Sequence, residues 1–449
     1  MAQQLDLAIV NGTVVTVGGR DQADLAISDG RIVALGRRHA FDHATRLLDA
    51  GGLVLLPGVV DGHVHFRQPG LEHKETWLTG SRAAVHGGVT TVLEMPNTLP
   101  PTRSVGDARA KLELASQASY CDFGLFGLVD REGSSAVEEL VRSGMVIGLK
   151  VFLGPSTGAL AAPADEELVR VLRLAARAGL RTAFHAEDAA VLEREATRVG
   201  HRVDAVAHLE ARPEEAEVRA IDHVGHLLGR SGAAGHILHL SSKGGVDAIR
   251  RWRSSGVDLT CEVTPHHLLL GRHDYERLGG QLKANPPVRG EPHSSALLAA
   301  LAEGLIDCVA SDHAPHAPDE KAPPDIRRVE AGVAGVETLL PLMLTLVDDG
   351  RLSLERVVDA TSAGPARIWG LAPAKGSLER GADADVVLVD LVSEQVVRGA
   401  EAHGMHPLTP FEGRSVHGRV VATLVRGRPV VQEGGLLGEP GWGVPVNRA

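Results

Sequence analysis

LVLLPGVVDGHVH, residues 53–65, is an apolar run that closes on Asp61, His63 and His65. Its aliphatic, β-branched content over a short span reads as a buried strand. Side chains alternate along an extended chain, so His63 and His65 stand on one face, where two imidazoles can share a metal. Seven similar runs follow, at 89–95 (VTTVLEM), 121–128 (CDFGLFGL), 145–152 (MVIGLKVF), 180–185 (LRTAFH), 235–240 (GHILHL), 257–263 (VDLTCEV) and 305–311 (LIDCVAS). Amphipathic helical stretches separate them, such as ADEELVRVLRLAARAG at 164–179 and PEEAEVRAIDHVGHLLGR at 213–230. Eight strands alternating with helices predict an α/β fold: a (β/α)8 TIM-like barrel over residues 53–371.

The flanks have another texture. Residues 1–52 carry LDLAIVNGTVVTV and ADLAISDGRIVALG, with Asn11-Gly12 and Asp29-Gly30 as hairpin signals. Residues 372–449 carry ADVVLVDL and HGRVVATLVRGRPVVQEG. The two segments are expected to pair as a small β-sandwich beside the barrel.

Composition narrows the function classes. Of 449 residues, 43% are hydrophobic, enough for a large core and against disorder, while aromatics at 3% leave the packing to aliphatics. Lys and Arg number 46 against 57 Asp and Glu, a net charge of −11. An acidic chain without basic clusters is poorly suited to phosphate backbones, so no nucleic-acid partner is expected. No apolar run reaches the roughly 18–20 residues that span a bilayer, and no secretory pattern opens the chain. Cys121, Cys261 and Cys308 are far apart and form no CxxC pair, so they read as buried small apolar side chains rather than disulfides or a zinc finger. The expected setting is the cytoplasm, the expected partner a small-molecule substrate, and the expected assembly a homo-oligomer (dimer or tetramer).

A barrel of this type carries its chemistry at the carboxyl ends of its strands. Those ends hold His63 and His65 (strand one), Lys150 (four), His185 (five), His239 (six) and Asp312 (eight). Each alone has an ordinary reading: a hydrogen-bonded core histidine, or a lysine that snorkels to the surface. Together, four imidazoles, a lysine and a carboxylate at one end of one barrel point to a metal centre.

Lys150 needs a chemical account in such company. An ammonium beside two cations is disfavoured, and burial lowers its pKa further. The neutral amine reacts with CO2 to a carbamate, an anionic bidentate ligand able to bridge two metals. Two divalent ions, offset by one carbamate, one carboxylate and one hydroxide, keep a single positive charge that attracts an anionic substrate. Mixed nitrogen and oxygen ligation suits zinc, and cobalt or manganese also fits.

Across the barrel the sequence resembles the cyclic amidohydrolases of the metal-dependent amidohydrolase superfamily, and within them most closely dihydroorotases. The motifs are PGVVDGHVHFRQPG (57–70), GGVTTVLEMPNTLPPT (87–102), GLKVFLGPSTG (148–158), FHAED (184–188), HILHLSS (236–242), CEVTPHHLLL (261–270), KANPPVR (283–289), ASDHAPH (310–316) and GVAGVETLLPL (332–342). KGSLERGADADVVLVD and TPFEG resemble the family's sandwich strands. The resemblance implies two Zn2+ bridged by carbamylated Lys150, with His63, His65 and Asp312 on one ion and His185 and His239 on the other. It implies a bridging hydroxide as nucleophile and Asp312 as the catalytic group that shuttles its proton to the departing nitrogen. Arg67, Asn97 and His316 match the family's grip on the substrate carboxylate, joined by Asn285. The implied reaction is reversible hydrolysis of dihydroorotate to N-carbamoyl-aspartate, a step of pyrimidine biosynthesis.

Alternatives stay open. The bridging lysine and HILHLSS are shared with allantoinases and with hydantoinases or dihydropyrimidinases, whereas HVHFR, MPNT, TPHHL and DHAPH read as dihydroorotase. A non-catalytic scaffold would show gaps in the ligand set, and all six ligand positions are filled. His266 and His267 read as either site-supporting or structural. Asp61 either orients a ligand histidine or caps its strand, and the loop 316–336 is placed to cover the site.

Overall fold

Residues 53–65 form two strands, not the single strand that their apolar continuity predicts. In the computed structural model, which describes residues 5–37, 39–132, 136–155 and 160–448, Val54–Pro57 joins a terminal sheet while Val59–Val64 opens the barrel. Gly58 sits at the break because a Cβ there would collide with the side chain of Thr90. The last residues of the GLKVFLGPSTG motif, 156–158, lie outside the described residues, as do 1–4.

The barrel strands are Val59–Val64, Val89–Glu94, Asp122–Leu128, Gly148–Phe152, Arg181–His185, Gly235–Ile237, Leu259–Val263 and Cys308–Val309, each parallel to the next. A parallel bridge between Val64 and His313 brings the eighth strand back to the first, and the His65 N–H donates to the His313 carbonyl at 2.7 Å. Strands six and eight are shorter than their apolar runs because the chain leaves the ladder before His239 and Asp312. Both residues have left-handed backbones, φ 37° and 46°.

Alternation sorts the fourth strand. Leu149 and Val151 join the core shared with the surrounding helices, while Lys150 faces the interior, 1% exposed. Helix Asp165–Arg177 covers that side with Leu168, Val171, Leu172 and Ala175, the spacing of one helical face. Three acidic residues in its first turn complement the helix dipole. Trp369 fills the barrel interior deeper down, edge-on to Phe126 at 4.7 Å and to His236 at 5.1 Å.

The terminal segments make two sheets with a common core. One orders Arg31–Gly36, Asp24–Ser28, Leu7–Val10 and Arg46–Asp49; the other runs from Gly435–Leu436 through Arg428–Gln432, Ser415–Val425, Val386–Val396, Val54–Pro57 and Thr13–Thr16 to Gly19–Gln22. Ile9, Leu25 and Ile27 of the first meet Leu55, Val386 and Leu424 of the second. Asp29-Gly30 turns a hairpin as the sequence predicts, both residues having positive φ. Asn11-Gly12 does not: Asn11 alone is left-handed, and the chain crosses there from one sheet to the other. A Cβ at position 12 would strike Leu55.

A buried ion cluster ties sandwich to barrel. Lys375 Nζ donates to Asp122 at 2.5 Å and Asp385 at 2.8 Å and lies 3.0 Å from Asp383, while Arg426 also pairs with Asp122 at the start of strand three. Among the described residues no helix is long and apolar enough to cross a membrane.

Candidate metal centre

Nine of the ten side chains singled out from the sequence line one cavity at the carboxyl end of the barrel: His63, His65, Arg67, Asn97, Lys150, His185, His239, Asn285 and Asp312. Phe152, Ala314, Ala331 and Gly332 complete its wall, so the 316–336 loop does reach the site. His316 is the exception. It lies behind Arg67, buried, with Nε2 3.1 Å from both Arg67 Nη2 and the Ala331 carbonyl, and its Nδ1 lies 3.2 Å from Lys74 Nζ.

The donor atoms converge. Asp312 Oδ1 lies 3.2 Å from His63 Nε2 and 3.3 Å from His65 Nε2, and His185 Nδ1 faces His239 Nε2 at 3.0 Å. Donor atoms of His63, His239 and Asp312 all lie within 4.8 Å of one another. Outward ring nitrogens are already engaged: His63 Nδ1 with Glu262 Oε1 at 2.7 Å, His65 Nδ1 with Asn97 Oδ1 at 2.8 Å, His185 Nε2 with Glu187 Oε2 at 3.0 Å. Each such bond fixes a tautomer that turns a bare nitrogen inward, the arrangement metal-binding histidines need.

Electrostatics agree with that reading. Burial lowers the pKa of His65 to about 3 and that of Lys150 to about 7, and holds His185 and His239 low as well, which favours the neutral forms of these donors. Burial alone would raise Asp312, but the rings of His63, His65 and His239 overcome it and hold the carboxyl well below the usual range. Lys150 Nζ packs 4.5 Å over the Phe152 ring, with Asp312 and Glu262 acting on it only from a distance. An amine with a pKa near 7 is about half neutral at pH 7, and that fraction is open to CO2.

Three side chains of the site sit on left-handed backbone: Arg67 at φ 65°, His239 at 37° and Asp312 at 46°. For a bulky residue such a conformation costs on the order of 1–3 kcal/mol and persists where the surroundings over-determine it.

Several groups were not singled out from the sequence as parts of the site. Glu262, fully buried on strand seven, bonds His63, His236 and the backbone of His239. Glu187 backs His185 and is held ionised, against burial, by Arg212 and His185. Their signal was available: an acidic residue within each of the strand-end motifs CEV and FHAED. Asp61 caps the seam, accepting from the backbone N–H of Ser311 at 3.0 Å and of His63 at 3.3 Å, and among the described residues it bonds no imidazole. His267 is held between the Thr264 hydroxyl and the Pro286 carbonyl, whereas buried His266 has no partner for Nε2 among the described residues.

The amidohydrolase family matches residues 54–430. A dihydroorotase of Halobacterium salinarum is 44% identical over 84% of this chain and 86% of its own length. An allantoinase of Rubrobacter xylanophilus is 38% identical, covering 88% of this chain and 87% of its own. The solved structure of an L-hydantoinase (dihydropyrimidinase) from Arthrobacter aurescens superimposes with a TM-score of 0.96 at 33% identity, over 99% of this chain and 100% of that one. The barrel, the convergent donors at its carboxyl end and these matches lead to one conclusion: the chain belongs to the amidohydrolase family, whose members depend on metal.

Proposed function

We propose that the chain is a dihydroorotase, which opens dihydroorotate to N-carbamoyl-aspartate and closes it in reverse. The observation that carries the reading is Arg67. Its guanidinium is 2% exposed in the wall of the cavity, and its bonds go to the Pro315 carbonyl (3.2 Å, from Nε) and the His316 ring, not to a carboxylate. A buried fork of donors in that state suits a carboxylate on the substrate. Dihydroorotate carries one; allantoin, hydantoin and dihydrouracil do not.

The donor set fits a pair of zinc ions, with cobalt or manganese as substitutes: four imidazoles, three of them with backed outer nitrogens, an ionised Asp312, and a Lys150 amine poised for carbamylation. His63, His65 and Asp312 would hold one ion, His185 and His239 the other, with carbamylated Lys150 between them. When bound, such a pair generates a nucleophile from water at neutral pH and polarises the amide carbonyl.

The protein's own groups do the rest. Asp312 Oδ takes the proton of the attacking water and delivers it to the departing ring nitrogen, and the same atom reverses the transfer on ring closure. Arg67 binds the substrate carboxylate, and His316 and Pro315 hold Arg67 in place. Asn97 spends its carbonyl oxygen on His65, which leaves its amide nitrogen for the substrate. Asn285 Oδ1, buried without a partner among the described residues, offers an acceptor to a ring N–H.

A second reading, hydrolysis of a neutral ring, draws on the allantoinase and L-hydantoinase relatives. The zinc-loaded protein assayed side by side on dihydroorotate, allantoin and hydantoin separates the two. Faster turnover of either neutral ring would overturn the dihydroorotase reading.

A further inference from the structure

Among the described residues, Glu262 is the one buried carboxylate bonded to both halves of the ligand set proposed above. Its Oε1 accepts from His63 Nδ1 at 2.7 Å and from the His239 backbone N–H at 3.2 Å; its Oε2 accepts from His236 Nε2 at 3.2 Å. His236 is itself fixed by the Thr260 hydroxyl at 2.8 Å. Glu262, His236 and His63 are each 1% exposed or less. The His239 N–H that it holds belongs to a residue at φ 37°, where a bulky side chain needs an anchor to stay.

Its charge is also unusual. Glu187, the counterpart behind His185, is neutralised by Arg212, whereas the ion pairs of Glu262 are to imidazoles alone. Two divalent ions with one carbamate, Asp312 and a hydroxide would keep one positive charge. A fully buried anion with no cationic side chain is the natural complement to that surplus.

We propose that Glu262 is a positioning residue shared by the two metals: one carboxylate fixes the His63 ring for the first ion and the His239 backbone for the second. The inference rests on the ligand assignment under Proposed function. It sets Glu262 apart from Glu187, which reaches His185 and therefore one ion only.

The test is zinc binding, read by competition with a chromophoric chelator and checked by the absorption spectrum of the cobalt-loaded protein. Glu262→Gln should weaken both ions, each by about 10- to 100-fold, the usual effect of removing the group behind a ligand histidine. Glu187→Gln should weaken a single ion by a similar factor. His236→Phe, which touches no ligand, should loosen Glu262 and reproduce the two-ion loss at a smaller size. It also serves as the readout if Glu262→Gln does not fold, while Glu262→Asp should recover part of the affinity. Wild-type affinity in Glu262→Gln, or a loss confined to one ion there or in His236→Phe, overturns the proposal. A wild-type chain that fails to bind two zinc ions overturns the ligand assignment instead.

Discussion

Arg67→Met isolates the charge that the functional reading depends on. The guanidinium is 2% exposed, so salt and solvent screen it little, and a substrate carboxylate there would make a charge-assisted bond in a nearly dry wall. Truncating one partner of such a pair costs about 2–5 kcal/mol. At about 1.4 kcal/mol per tenfold, kcat/KM for dihydroorotate should fall by roughly 30-fold to a few thousand-fold. The substitution also strips bonds from the Pro315 carbonyl and the His316 ring, so some stability will go with it. Turnover of hydantoin by the same variant separates the two effects. General damage lowers both substrates together, whereas loss of a carboxylate anchor lowers dihydroorotate alone and shifts the specificity ratio toward the neutral ring. Steady-state assays of both substrates on zinc-loaded wild type and variant measure that ratio. A change below about threefold in dihydroorotate kcat/KM, or an equal loss on both rings, would refute the assignment of Arg67.

Lys150→Ala should lose metal and activity, with partial rescue by a short-chain carboxylic acid; two tightly bound zinc ions and full turnover in that variant would count against the carbamate. Activation of the apo-protein by CO2 and zinc should depend on pH with a defined sign. Burial lowers the Lys150 pKa to about 7, so the reactive neutral amine grows about tenfold per unit below that pH and levels off above it. At fixed dissolved CO2, an activation rate that is flat from pH 5.5 to 7 would contradict this. Asp312→Asn should keep the fold by circular dichroism and lose nearly all turnover in both directions, and retention of a tenth of wild-type rate would exclude Asp312 as the proton carrier. Lys375→Met leaves Asp122, Asp383 and Asp385 without their shared cation, so it should cost on the order of 3–5 kcal/mol and lower Tm while leaving KM unchanged. A Tm within a degree of wild type would show that Arg426 suffices.

The barrel and the cluster of polar side chains at its carboxyl end were legible because each rests on a local signal with a fixed geometric consequence. A short apolar run is a strand, its carboxyl end is where a barrel does chemistry, and a histidine, lysine or aspartate at that end has one place to point. His63, His65, Lys150, His185, His239 and Asp312 all follow from that rule, and the cavity brings them together. What failed depended on neighbours distant in sequence. The break at Gly58 is imposed by the Thr90 side chain, and the crossing at Gly12 by Leu55. Neither contact leaves a trace in the local pattern, which reads as one strand in the first case and a hairpin in the second.

The surroundings of His316 are likewise set by residues distant in sequence. A histidine four residues past Asp312 has the right spacing to reach a substrate, and nothing local says that Lys74 and the Ala331 carbonyl will engage its ring behind Arg67. The loop beyond it is held by lysines whose role is equally non-local. Lys321 Nζ donates to the carbonyls of Lys283, Glu330 and Gly332, and Lys283 Nζ donates to those of Ile326 and Val329. Its sequence position places 316–336 to cover the site. Two lysine side chains, each bonded to loop carbonyls, pin the Ala331-Gly332 wall of the cavity to the strand-seven side of the barrel. A site that must discriminate rings of similar size gains from such a wall, because a fixed carbonyl frame rejects a misfit that a yielding loop would accommodate.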